Sequence, residues 1–259
     1  MSRLILIRHA QASFSPDPSR AFVDYDRLSE LGHQQAEALG EELVAAGVTF
    51  DRAYTGPAAR QRQTAEGLAA VYARHGRPFP ELLTLEALEE HSGATVVRRA
   101  LAEPEYERDR ERLGIALEAA EMRSGSAGAE ARGAAAHVDP TRAYFAVFQR
   151  VTRLWARGEL PDALAEESWQ AFRARVEAGV RRILGESGRG TTVAAFTSGG
   201  PIGSTVARVL GLDDERALEL AWTVENATLT ELLFTEGRVS LKSFNAQPRI
   251  GAPELVTYV

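Results

Sequence analysis

The sequence predicts an α/β fold: a three-layer α/β/α sandwich with a largely parallel sheet, plus a helical insertion (cap). Three observations predict it. Short continuous apolar runs such as Leu4-Ile5-Leu6-Ile7 read as strands buried on both faces. Such runs alternate with longer amphipathic stretches, first over 1–93 and again over 169–245. Between them the character changes to Arg- and Glu-rich sequence of helical type. The expected organisation is one α/β domain over 1–259, with residues 95–167 inserted in it.

The first strand, Leu4 to Ile7, ends at Arg8-His9-Ala10, where polar side chains emerge. Asp17-Pro18-Ser19 is loop chemistry. Ser29 is an N-cap for a helix from about Glu30 to Ala46, which Gly47 ends. Phe50 to Tyr54 is a second short strand. Pro57 then sits where a helix can begin, with Ala59 to His75 as its body. Leu82 to Leu85 is a third strand. Within the insertion, Ser124 to Glu130 is low-complexity sequence and Ala143 to Trp155 an amphipathic helix. After it, Trp169 to Leu184 is helical and Thr191 to Phe196 is a strand. Thr197 to Pro201 is a tight turn into a helix over Ile202–Leu210. Thr228–Phe234 and Val239–Phe244 close the chain as a hairpin turning at Glu236-Gly237.

Composition narrows the chemistry. The chain has 259 residues, a net charge of −6, 29 arginines, a single lysine (Lys242) and no cysteine. Disulfides, thiolate metal sites and a cysteine nucleophile are excluded. Arg238-Val239-Ser240-Leu241 precedes Lys242, so no phosphate-binding G-x-x-x-x-G-K loop exists. Acids outnumber bases and no long basic run occurs, which argues against a nucleic-acid partner. No stretch approaches the roughly 18 apolar residues of a membrane span. The N-terminal apolar run is too short for a signal segment, so a cytoplasmic protein is expected.

Four constellations can carry chemistry. Arg8-His9 ends a strand, where ligands bind in open α/β sheets. A guanidinium grips phosphate through two parallel hydrogen bonds, and a neutral imidazole beside it can attack phosphorus. Thr55 to Ala65 follows a strand and opens a helix, so its backbone N–H groups suit an anion, with Arg60 in the first turn. Leu88-Glu89-Glu90-His91-Ser92-Gly93 offers an acid able to protonate a leaving oxygen. Thr197-Ser198-Gly199-Gly200-Pro201 is again strand, turn and helix start. Taken singly, each also reads as ordinary surface chemistry. A serine-hydrolase elbow at Ser198 fails, because it needs a histidine later in the chain and the last is His137. Asp24-Tyr25-Asp26 matches the D-x-D of aspartate phosphatases, but lacks a preceding strand and a suitable lysine.

In order and spacing these segments resemble the histidine phosphatase superfamily, which includes the phosphoglycerate mutases. The R-H-G motif reads Arg8-His9-Ala10. The L-S/T-x-x-G-x-x-Q-A helix start reads Leu28 to Ala36. The S-x-x-x-R-A-x-Q-T-A segment reads Thr55 to Ala65. Thr197 to Ile202 lies where the family has H-G-G-x-I. The resemblance covers 1–93 and 169–245. It implies that His9 is the nucleophile and that Arg8, Arg60, Ser198 and the Gly199 N–H hold the phosphoryl oxygens. It places the proton donor on Glu89. No metal or cofactor is required, and the partner is a small phosphorylated substrate. Three departures stand out. Ala10 replaces glycine, the Trp-Asn typical of mutases is missing after it, and Ser198 replaces the second histidine. His91 is either a stand-in for that histidine or a polar neighbour of Glu89. Two functions follow: a metal-independent phosphomonoester hydrolase working through phosphohistidine, or a phosphate-ligand binding or regulatory protein with weak turnover. Insertions in this family set specificity, so Arg98, Arg99, Arg108, Arg110 and Arg112 are candidates for extra anionic groups, or simply a solvated helix face. The sequence sets neither the substrate nor the oligomeric state.

Overall fold

The computed structural model describes residues 1–13, 26–111, 113–114, 140–247 and 257. The chain forms two compact units, Met1–His91 with Gln170–Val259, and Ser92–Trp169. The low-complexity stretch 124–130, Asp24-Tyr25, Arg112 and His137 lie outside the described residues.

The first unit is built on a six-stranded sheet. Its strands are β1 (Ser2–Arg8), β2 (Arg52–Thr55), β3 (Leu82–Thr84), β4 (Thr192–Thr197), β5 (Leu229–Thr235) and β6 (Arg238–Ala246), in the order β3-β2-β4-β1-β5-β6. β1 to β4 are mutually parallel; β5 runs antiparallel to both its neighbours. The four parallel strands therefore end along one edge. The apolar run of β1 is buried on both faces, as a parallel strand between helical layers requires. Ile5 and Ile7 join the core formed with helices α1 (Glu30–Ala45) and α2 (Ala59–Arg74), through Leu39, Leu43, Leu68, Val71 and Tyr72.

Helix boundaries follow local chemistry. Ser29 Oγ accepts from the Gly32 N–H at 3.0 Å and caps α1, as expected. α2 starts at Ala59, whose N–H donates to Asp26 Oδ1 at 2.9 Å, so a carboxylate from a distant loop caps it. Helix α3 (Gly93–Ala100) belongs to the second unit and packs on α4 (Pro140–Ala156) through buried Val96, Val97, Val147 and Val151. In that unit Arg99 pairs with Glu166 at 2.7 Å, and Arg110 donates to the carbonyls of Leu101 and Glu103. Helix α5 (Trp169–Glu186) precedes β4.

Two features after β4 differ from the expectation. Helix α6 (Gly199–Leu210) begins directly at Gly199, with Pro201 inside its first turn instead of in a preceding loop. A further helix, α7 (Asp214–Thr223), follows it, capped by Asp213 Oδ1 accepting from Arg216 N at 2.8 Å. Its inward side chains are mostly small (Ala217, Ala221), which leaves little apolar periodicity to read. Those alanines meet the glycines of α6. A Cβ on Gly199 would lie 2.7 Å from the Ala221 carbonyl oxygen. One on Gly203 would lie 2.5 Å from that of Ala217. The two helices cross at backbone contact, and α6 also packs against β1 and β6.

Gly203→Ala should therefore destabilise the protein by about 1–3 kcal/mol, because only backbone could yield. Gly185→Ala, in a helix with open space around the added methyl, should stabilise it by about 0.5–1 kcal/mol. Denaturant midpoints at equal slope check both.

Candidate active site

The parallel strand ends bring the predicted residues together. β1 and β4 are paired up to Arg8 opposite Thr197, and β4 and β2 up to Phe196 opposite Thr55. The pairing runs one step further on each side. The His9 N–H donates to the Thr197 carbonyl at 2.8 Å, and the Gly56 N–H to the Phe196 carbonyl at 3.0 Å. His9 and Ser198 thus leave the sheet side by side, with Gly56 on the other flank of β4.

The loop after β1 is clamped by side chains of the quoted motifs. Thr64 Oγ1 accepts from the Ala10 N–H at 3.0 Å, Gln35 Oε1 from Gln11 N–H at 2.7 Å, and Gln63 Oε1 from Leu28 N–H at 2.8 Å. The His9 carbonyl accepts from Asn226 Nδ2 at 3.0 Å. Ala10 keeps a negative φ, so the missing glycine costs the backbone nothing there.

His9 is almost fully buried. Its Nδ1 lies 2.8 Å from its neighbour's carbonyl, Ala10 O, an acceptor that places the proton on Nδ1. The lone pair then belongs to Nε2, which lies 3.2 Å from Arg60 Nε. Burial holds the imidazole pKa well below its ordinary value, and the Arg60 and Arg8 charges push it the same way. His9 is a neutral base with its nucleophilic nitrogen turned to a guanidinium.

Arg8 is 8% exposed; its Nη1 donates to the Val224 carbonyl, and its buried Nε has no hydrogen-bond partner. Arg60, equally buried, also meets exposed Asp26 at 3.4 Å. Ser198 is fully buried, and its Oγ accepts from Gln61 Nε2 at 2.8 Å. That same amide nitrogen donates to the Leu88 carbonyl at 3.2 Å, which also accepts from Thr197 Oγ1 at 2.6 Å. Gly199 opens α6, one residue after Ser198. Two guanidinium groups, a helix start and a hydroxyl around a neutral imidazole make a cradle for a tetrahedral dianion. Among the described residues no group of three or more His, Asp or Glu side chains could hold a metal ion, and no helix is long and apolar enough to cross a membrane.

The segment after β3 is arranged differently from the rest. Glu89 ends a 3-10 turn (Glu86–Leu88) in extended conformation and is exposed, and its carbonyl accepts from Arg175 Nη1 at 3.2 Å. Glu90 turns inward: its Oε2 accepts from the Gly200 N–H at 3.1 Å and its Oε1 from the His91 N–H at 2.9 Å. The His91 ring is largely buried against Phe172, edge to face. Asp26, Gln61, Glu90 and Asn226 are site-forming residues that the sequence reading did not single out. Asp26 and Glu90 stood in motifs quoted for other reasons. Asn226 carried no local signal.

Comparisons with known proteins bear on the family and the fold. The family model for the histidine phosphatase superfamily (branch 1) matches residues 4–124 and 139–247. A 2,3-bisphosphoglycerate-dependent phosphoglycerate mutase of Brucella ovis is 35% identical over 91 residues, 35% of this chain and 43% of that enzyme. The chain thus spans less than half the length of the curated relatives it matches. The fold resembles a Bacillus anthracis phosphoglycerate mutase (TM-score 0.58, 18% identity, covering 94% of this chain and 92% of that one). It also resembles a mycobacterial glucosyl-3-phosphoglycerate phosphatase solved with inorganic phosphate (TM-score 0.57, 19% identity, 95% and 98%). An Entamoeba histolytica phosphoserine phosphatase mutant in complex with phosphoserine is similar to the same degree (TM-score 0.57, 16% identity, 95% and 98%). With the family model running over most of its length and the same sheet edge carrying the motifs, the chain belongs to the histidine phosphatase superfamily.

Proposed function

We propose that the chain is a phosphomonoester hydrolase acting on a small phosphorylated substrate through a phosphohistidine at His9. The observation that carries this is the buried, neutral His9, with Nδ1 engaged by its own loop and Nε2 facing Arg60. An imidazole needs that tautomer to attack phosphorus through Nε2. Arg8, Arg60, Ser198 and the Gly199 N–H bind the phosphoryl oxygens, and the charge spreading over them in the transition state strengthens those contacts. The relatives named as phosphatases and mutases of phosphorylated small molecules support the same reading. Nε2 forms a bond to phosphorus as the bond to the leaving oxygen breaks. An acid on the loop after β3, where the resemblance puts Glu89, protonates that oxygen. Water then attacks phosphorus, the P–N bond breaks, and inorganic phosphate leaves with His9 neutral again.

Ser198 favours a second reading, a phosphate-binding protein with little turnover. A hydroxyl donates one hydrogen bond and brings no charge. Purified protein assayed with an aryl phosphate separates the two. The hydrolase reading expects turnover and an acid-labile phosphoryl group on the protein, both lost in His9→Ala by more than about 10³-fold. Turnover surviving in His9→Ala, or no turnover with retained phosphate binding, would reject it. Ser198→Ala should lower kcat by about 10²-fold, the cost of one donor to a developing oxyanion.

The buried imidazole also makes stability depend on pH. His9 ordinarily titrates at 6.5 and is pushed well below that by the fold. Protonation therefore favours the unfolded chain. This contribution is complete above 6.5 and is lost as the pH falls from there toward the lowered value. His9→Gln has no such term. Unfolding free energies from urea titrations should show the native protein losing stability relative to His9→Gln below pH 6.5, with a constant difference above it.

A further inference from the structure

We propose that Gln61 is a positioning residue of this site: its amide makes Ser198 Oγ an acceptor and so reserves the Ser198 hydroxyl proton for a phosphoryl oxygen. This rests on the hydrolase reading and deepens it, by giving the means through which a serine serves where the family motif has histidine. Gln61 and Ser198 are both fully buried. The R-A-x-Q-T-A stretch of the motif has alanine after its arginine, whereas this chain has Gln61 after Arg60. Two departures from one pattern, 137 residues apart in the chain, therefore meet: Gln61 Nε2 lies 2.8 Å from Ser198 Oγ.

The direction of that bond is fixed by the rest of the amide. Gln61 Oε1 accepts from the Ala58 N–H at 3.2 Å, and Nε2 donates to the Leu88 carbonyl at 3.2 Å. An amide turned over would set its oxygen against the Leu88 carbonyl oxygen and its NH2 against the Ala58 N–H, losing both bonds. Nε2 thus meets Ser198 with its second proton and can accept nothing. Ser198 Oγ must accept, and its own proton has no acceptor among the described residues. A buried hydroxyl seeks partners for both of its roles. A bound phosphoryl oxygen supplies the second. Gly56 admits the amide, since a Cβ there would lie 2.1 Å from Gln61 Oε1 and 2.8 Å from the Leu88 carbonyl oxygen.

No proton is transferred along this chain. The amide keeps both of its protons and the serine keeps its own. Accepting a bond at Oγ polarises the hydroxyl and makes its O–H the stronger donor. Its bond to the phosphoryl group then tightens as negative charge gathers on the oxygens in the transition state. Gln61 acts on the phosphoryl group through Ser198.

A double-mutant cycle with 4-nitrophenyl phosphate tests this. Gln61→Met keeps the length of the side chain and removes both donated bonds. The Leu88 carbonyl retains Thr197 Oγ1 at 2.6 Å, so the replacement orphans no buried carbonyl there. The expected result is a loss of about 10-fold in kcat and in kcat/KM alike. With Ser198→Ala already in place, and kcat already about 10²-fold down, the same replacement should cost less than about twofold. Gly56→Ala, which pushes the amide aside without removing it, should behave as Gln61→Met does, and it carries the cycle if Gln61→Met does not fold. Full loss in both backgrounds, no loss in either, or a change confined to KM would overturn the proposal. A merely structural role gives the first of these, with a lowered denaturation midpoint and the same factor whether or not the Ser198 hydroxyl is present. If the native protein and His9→Ala hydrolyse the ester equally, the hydrolase reading itself fails. The cycle is then read on the affinity for inorganic phosphate by calorimetry. There the same dependence of Gln61→Met on Ser198 is expected, and independence of the two sites overturns the pairing.

Discussion

The site depends on the rungs of backbone hydrogen bonding at the end of β4. His9 donates to the Thr197 carbonyl and Gly56 to the Phe196 carbonyl, one residue beyond the last paired positions. A parallel sheet places all its strand ends at one edge, but does not by itself make chains leave at the same height. These two bonds do. They set His9 beside Ser198, and start the turn that delivers Arg60, from a common level. Every contact of the cradle follows from that level. The side chains of Gln35, Gln63 and Thr64 then hold the loop after β1 from outside, so that the imidazole does not carry the strain of its own positioning.

Electrostatics completes what the backbone begins. Two guanidinium groups, each 8% exposed, flank an imidazole. Buried cations are costly unless they are paired or hydrogen-bonded. Arg60 is partly met by Asp26, and Arg8 by a carbonyl. Burial first, and then the charges of Arg60 and Arg8, favour the neutral form of His9. On the hydrolase reading, the same two charges attract a dianion and help keep the attacking nitrogen unprotonated. One choice of side chains then serves binding and nucleophilicity together.

Much of this was legible in the chain. Leu4 to Ile7 announced a doubly buried strand, Ser29 a helix cap, and the order of short motifs a family. What escaped has physical reasons. Helix α7 hides because it packs by small residues against glycines, which leave a weak apolar period. Adjacent Glu89 and Glu90 are alike in composition. That Glu90 meets the Gly200 N–H depends on a contact across the fold that composition does not carry. Asn226 gains its position from a turn that reaches the His9 carbonyl across more than two hundred residues. Gln61, in contrast, stood inside a quoted motif, and its role lay in what it touches: Ala58, Leu88 and Ser198 at once.

That last residue bears on how the site could change. Ser198 is fully enclosed and is hydrogen-bonded by an amide that also secures the loop carrying Glu90. An imidazole at position 198 would be larger than the space left by a serine, and would have to displace Gln61 before reaching any phosphate. Releasing Gln61 would in turn unfasten the Leu88 carbonyl from one of its two donors. Histidine and serine at this point are therefore not interchangeable parts within one frame. Each needs its own neighbour at position 61, so a route from one to the other passes through paired substitutions.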